Sequence, residues 1–266
     1  MKKVFILFSS LLGAVAVEAQ VKEGTVFYEQ KVNMHRTITD EQMRAMIPEF
    51  RTSRYMLLFS DSVSIYKLVP EDEAPDPFAG NGPRVMIRMG AGGGDLYKNL
   101  SQAKSIQTSE LGGKNFLITD TIQRQPWKLG TETKQILGYT CHKATRKTMQ
   151  PQGMIRRMVM GGGNTGTDTT TQTRPQAKEV EVVAWFADDI VSPTGPENYG
   201  QLPGVILQLD VDNGATVFTA TDVKKTVDMK ELKEPKKGKT VTRQEFSKMV
   251  NEMMSNMGPG GFRISN

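Results

Sequence analysis

A chain of 266 residues, 38% of them hydrophobic, is long enough for a sizeable core, and its single cysteine excludes an intrachain disulfide as the source of stability. Its 34 basic and 29 acidic residues give a formal charge of +5. That excess is mild and unfocused, which argues against a nucleic-acid-binding protein.

The N-terminus reads MKKVFILFSSLLGAVAVEAQ. Lys2 and Lys3 form a basic start, residues 4–17 an apolar run too short to span a bilayer comfortably, and Val17-Glu18-Ala19 a small-x-small exit. The order is that of a secretory signal peptide over residues 1–19, cleaved before Gln20. No second apolar run of spanning length follows, so no transmembrane segment is expected. Cys141 lies far from the cleavage point, so no cysteine there can take a lipid anchor. The remainder suits one large β domain over residues 20–225, followed by a basic linker, a helix and a frayed tail over residues 226–266. The densest basic stretch, KEPKKGK at 233–239, contains proline and glycine and reads as a solvated part of that linker.

Residues 24–32 (GTVFYEQKV) open the domain with strand alternation. Thr39 or Asp40 can cap a short helix through Met46, which Ile47-Pro48 ends. Residues 54–60 and 63–69 form a hairpin across Asp61-Ser62, and further strands are predicted at 115–121, 135–146 and 180–186. Residues 205–211 and 216–223 flank Asp212-Asn213-Gly214, and Asn-Gly is a strong hairpin signal because both turn residues take positive φ. Near the C-terminus Thr242-Arg243-Gln244-Glu245 fits a capping box, with Phe246, Met249, Val250 and Met253 following at helical spacing. This stripe is expected to pack on a sheet; a cofactor face of methionines is the rarer use of such a pattern. The succession predicts a mainly β fold with an antiparallel sheet and one or two packed helices, and no nucleotide-binding α/β unit.

Two insertions interrupt the strands. Residues 75–94 contain MIRMGAGGG, and residues 149–176 contain MIRRMVMGGG followed by NTGTDTTTQTRPQ. Neither offers enough apolar surface to offset ordering entropy, so both are expected to be mobile loops. Met154, Met158 and Met160 are close enough in sequence to converge on a soft ion such as Cu(I), but Arg156 and Arg157 among them repel a cation. Contact with a partner protein is the other use of such an apolar, adaptable loop.

From Trp127 the chain runs WKLGTETKQILGYTCHKATRK, then VVAWFADDI, then GPENYGQLPGVILQLDV. This succession resembles the GLPGLI family of exported Bacteroidetes proteins. The resemblance rests on Trp127, Ile136, Gly138-Tyr139, Cys141, Lys143-Ala144, Ala184-Trp185-Phe186, Gly195-Pro196 and Leu202-Pro203-Gly204-Val205-Ile206-Leu207. It covers roughly residues 23–255, with Gln201 in place of the motif's first glycine and Val205 in place of its second leucine. The resemblance implies an exported bacterial protein. The antiparallel pattern is compatible with a curved half-barrel of the periplasmic lipoprotein-carrier kind, helices against its concave face.

Catalytic motifs do not emerge. His35 and His142 belong to no HExxH, phosphate-loop or nucleophile-elbow pattern, and Cys141 and His142, adjacent on a strand, leave opposite faces. Cys141 reads as a buried structural thiol, and Asp188-Asp189 as turn residues too few for a hard cation. Pro203-Gly204 fits a type II turn leading into a strand. Trp127, Tyr139, Trp185 and Tyr199, with Leu202, Pro203 and Gly204, are the candidates to line a binding site, although any one of the aromatics is more commonly core. The expectation is a non-enzymatic, exported envelope protein without a cofactor, which binds or carries an apolar or peptide-like ligand or assists an envelope assembly. Soft-metal binding through Met154, Met158 and Met160 is the alternative.

Overall fold

The computed structural model describes residues 20–36, 38, 41–69, 94–151 and 177–256. The expected signal peptide, the cap candidates Thr39 and Asp40, Met154, Met158, Met160 and the terminal segment 257–266 lie outside these residues, as do the insertions apart from Gly94 and residues 149–151.

Strand β1 (Gly24–Asn33) leads through a 3₁₀ turn and a short helix α1 (Glu41–Met46) to β2 (Phe50–Phe59), β3 (Val63–Leu68), β4 (Leu96–Asn99), β5 (Lys104–Leu111) and β6 (Lys114–Thr121). A second series follows: β7 (Lys128–Ile136), β8 (Tyr139–Pro151), β9 (Ala177–Ala187), β10 (Val205–Val211), β11 (Thr216–Lys224), β12 (Lys239–Thr242) and helix α2 (Arg243–Asn256). They form one twelve-stranded sheet in the order β12-β6-β5-β4-β3-β2-β1-β11-β10-β9-β8-β7. It consists of two meanders joined where β1 pairs antiparallel with β11. Among the named strands only β12 departs from the antiparallel pattern, running parallel to β6. The described residues are thus mainly β, a single open sheet with two helices.

Alternation places Val26, Leu57, Tyr66 and Leu96 side by side across β1–β4, and Phe218, Leu209, Ala184 and Ala144 across β11–β8. All eight belong to one buried cluster. Residues from strands so far apart in the sheet share a core only if the sheet curls, with this face inside. The link 122–127 agrees, because six extended residues, at roughly 3.5 Å each, carry the chain from β6 to the opposite edge at β7.

Helix α2 packs on the inner face of one flank. Phe246, Met249, Val250 and Met253 lie against Leu111, Phe116, Ile118 and Val241, the stripe's expected role. The capping box forms as read: the Glu245 backbone N–H donates to Thr242 Oγ1 at 3.2 Å and the Thr242 N–H donates to Glu245 Oε2 at 2.7 Å.

Three boundaries differ from expectation. The run 135–146 is two strands, because Leu137 (φ 52°) and Gly138 (φ 84°) make a two-residue hairpin turn. Strand β8 continues past Met149, with Pro151 opposite Ala177, so the second insertion starts later than its composition implied. The segment after residue 225 belongs to the same sheet. Leu232 and Val227 cover an outer-face cluster of Leu58, Ile65, Tyr97, Ile106 and Leu117, Glu234 bonds Lys104 at 2.7 Å, and β12 adds a strand. Burying Leu232 contributes on the order of 2 kcal/mol, enough to lay a basic segment down as a strap.

Candidate functional site

The connection between β9 and β10, residues 188–204, carries the Gly195-Pro196 and Leu202-Pro203-Gly204 parts of the family-like signature, and it fills the inner face. Ile190, Ser192 and Thr194 are fully buried and Leu202 is 2% exposed. Side-chain and main-chain groups of the first meander fasten it. Ser64 Oγ and Thr194 Oγ1 share a hydrogen bond of 3.0 Å, and Ser192 Oγ donates to the Ser60 carbonyl at 2.9 Å. Tyr28 Oη donates to the Ile206 carbonyl at 2.6 Å.

Lys98 is the strongest fastening. It is 3% exposed, and its ammonium donates to the carbonyls of Gly195 at 3.3 Å, Glu197 at 2.8 Å and Tyr199 at 3.2 Å. Three donors meet three acceptors, so a charge that burial would normally forbid is solvated by main chain. Burial lowers its pKa to about 7, and nearby Glu197 opposes that fall. Burial likewise raises the Glu197 carboxyl, with Lys98 pulling it back.

The Leu202-Pro203-Gly204 motif has a different logic from the type II turn expected of it. Gly204 is not among the residues with positive φ; that position is Gln201, at φ 63°. A Cβ on Gly204 would lie 1.8 Å from the Ala187 carbonyl oxygen, so this glycine permits backbone contact between the segment and the end of β9. Gln201 occupies the place of the motif's first glycine. Its amide secures the conformation by accepting from the Gln125 N–H at 3.0 Å and donating to the Gln123 carbonyl at 2.7 Å.

The aromatic candidates separate into two groups. Trp127 and Tyr199 stand on the inner side, both half-buried, each with its ring centroid 5.2 Å from the guanidinium of Arg146. Trp127 Nε1 donates to the Gly200 carbonyl at 2.8 Å. Trp185 is on the outer face, since it pairs with Lys143, three residues and therefore one reversal of face from Arg146. Lys134 lies 4.2 Å and Lys143 5.9 Å from its ring. Tyr139 packs partly buried against the main core. Leu202 is core, and Pro203 is exposed beside the close contact of Gly204. Arg146 and Lys98 were not singled out from the sequence: a lysine in LYKN and an arginine in KATRK look like ordinary solvated charges, and their partners are remote in the chain.

Cys141 is fully buried, and burial pushes its thiol up to about 11. His142 Nε2 is 3.4 Å from Asp188, while His35 Nε2 donates to the Ile47 carbonyl at 2.7 Å. Among the described residues no group of three or more His, Cys, Asp or Glu side chains could hold a metal ion. No helix among them is long and apolar enough to cross a membrane.

A family model described as "Protein of unknown function (Porph_ging)" matches residues 127–208, the stretch from Trp127 through the fastened segment into β10. No curated protein matches the chain. Among solved structures, PNGF-II in its P21 and C2 crystal forms is similar, with TM-scores of 0.50 and 0.51 and identities of 14% and 15%. The likeness covers 87% of this chain but 34% and 33% of PNGF-II, so the chain spans about a third of that protein's length and shares a fold with it. LprF from Mycobacterium bovis aligns over 80% of this chain and 90% of its own, at 10% identity and a TM-score of 0.28.

Proposed function

We propose that the protein is an exported, non-enzymatic component of the bacterial cell envelope, of the GLPGLI kind, which binds a peptide-like ligand at the rim of its half-barrel. The observation that carries this reading is the occupation of the inner face by the chain's own residues 190–204, with half-buried Trp127 and Tyr199 left at its edge. A carrier needs an apolar cavity for its cargo. Here the space beneath β1–β4 and β8–β10 holds Ile190, Thr194 and Leu202 instead, which favours recognition from the surface over carriage inside. Export rests on the basic, apolar and small-residue order of the first nineteen residues.

The test is purification of the tagged protein from its native envelope, N-terminal sequencing, and mass spectrometry of what remains bound. A mature chain beginning at Gln20 with peptide-like material attached is the expected result. Retention in the cytosol with Met1 intact refutes export, and an envelope protein that brings nothing with it refutes ligand binding.

A further inference from the structure

We infer that Arg146 is an anion-binding residue, and that its guanidinium, clamped between Trp127 and Tyr199, takes the carboxylate of a peptide-like ligand while Gln125 accepts a hydrogen bond from an amide N–H of the same ligand. The inference rests on the rim-binding reading above and names the chemistry of that rim.

Arg146 stands apart from its neighbours on β8. Lys143 reaches Glu132 at 2.7 Å and Lys147 reaches Glu179 at 2.7 Å, whereas Arg146 has no carboxylate partner among the described residues. Glu197 acts on the same tyrosine, Tyr199, but it lies against Lys98 and accepts from Gln30 Nε2 at 3.4 Å. The two rings flank the guanidinium and stabilise its charge without neutralising it. The Tyr199 hydroxyl oxygen accepts one hydrogen bond from the guanidinium and Nε has no partner, so the rest of this planar fork is left to match the oxygens of an anion.

A second observation places a complementary group on the same segment. Three buried side-chain atoms among the described residues have no hydrogen-bond partner: Tyr66 Oη, Gln125 Oε1 and Arg146 Nε. Two of them border the rim. Gln125 Nε2 donates to the Asn198 carbonyl at 2.6 Å, which fixes the amide with Oε1 free. Trp127, two residues on, donates to Gly200. An unmet acceptor and an unmet donor around residues 198–200 call for a ligand with both an N–H and an anionic oxygen. A peptide carboxy terminus has both; an inorganic anion has only the second. Leaving buried polar groups unmet is costly, so their retention favours a ligand that meets them.

The probe is N-acetyl-alanyl-alanine with a free carboxylate, titrated against the purified protein carrying Trp185→Phe, so that indole fluorescence reports Trp127 alone. The C-terminal amide of the same peptide and inorganic phosphate form the other arms. Saturable change with the free carboxylate, at least tenfold weaker with the amide, is expected. Arg146→Gln should weaken binding at least tenfold, and Arg146→Lys, which keeps the charge and the fold but loses the fork, should do nearly the same. Gln125→Leu should weaken the peptide several-fold and leave phosphate unchanged.

No saturable change up to roughly 10 mM peptide overturns the inference. So does equal binding of acid and amide, or undiminished binding in both Arg146 variants. Envelope purification keeps the two readings distinct. If wild type and Arg146→Lys retain the same peptide-like material, only the Arg146 assignment falls; if wild type retains none, the rim-binding reading falls with it.

Discussion

Lys98 is a buried ammonium whose solvent is three main-chain carbonyls of residues 195, 197 and 199. Replacing it with methionine keeps the volume but orphans those carbonyls, so Lys98→Met should lower unfolding free energy by about 3 kcal/mol in urea titrations at pH 7. The pH dependence has a definite sign. The folded-state pKa is about 7 against an ordinary 10.5, so between these values the unfolded chain holds more protons and stability rises with pH. Its contribution is fully present above 10.5 and is lost as pH falls through about 7. The gap between wild type and Lys98→Met should therefore widen from pH 7 to 9, by at most about 1.4 kcal/mol per unit; a gap that narrows contradicts the assignment. Cys141 gives a second test at this scale. Fully buried and with its thiol raised to about 11, it should react with a disulfide reagent only after unfolding.

The element scale separates what could be read in the sequence from what could not. The Thr242–Glu245 capping box and the turn at Asp212, Asn213 and Gly214, all with positive φ, form where expected, because each is fixed by residues adjacent in the chain. Strands β4, β5, β7 and β12 were not foreseen. β7 (KLGTETKQI) is an exposed edge without apolar alternation, and β12 is four residues long. The Leu137-Gly138 turn was read through because leucine rarely takes positive φ; the isolated Gly138 inside a strand pattern was its only signal. Of the candidate site, the aromatics were legible as types but not their division between two faces, since that depends on register across β8 and β9. The role of residues 188–204 was beyond reach, because its fastenings are mainly to main-chain atoms, which have no sequence signature. That role predicts the effect of the signature glycine. Gly204→Ala forces a Cβ to 1.8 Å from a backbone oxygen that no rotamer change can move, so it should destabilise by on the order of 3 kcal/mol or more in urea unfolding. A loss below about 1 kcal/mol would mean that the segment is free to lift from β9.

At the scale of the molecule, the question is whether two meanders make two folding units. Each has enough strands to stand alone, and their covalent crossings are the link 122–127 and the chain after β11. Energetically they are not separable. Val26, Leu57 and Tyr66 from the first series share one core with Ala144, Val182 and Leu209 from the second, and residues 190–204 of the second are held by Ser60, Ser64 and Lys98 of the first. Opening either series would expose the same core and strand the same polar groups, so a single cooperative transition is expected. Both tryptophans, Trp127 and Trp185, lie in or beside the second series, which gives a local probe. Leu57→Ala, at a fully buried position in β2, removes about 2–5 kcal/mol of packing from the first series alone. If the sheet unfolds as one unit, the urea midpoint reported by tryptophan fluorescence must fall by the full destabilisation and coincide with the midpoint from far-ultraviolet circular dichroism. An unmoved tryptophan midpoint, with a separate earlier transition in circular dichroism, would make the two meanders independent. The inner-face segment would then be a contact between units instead of the core of one.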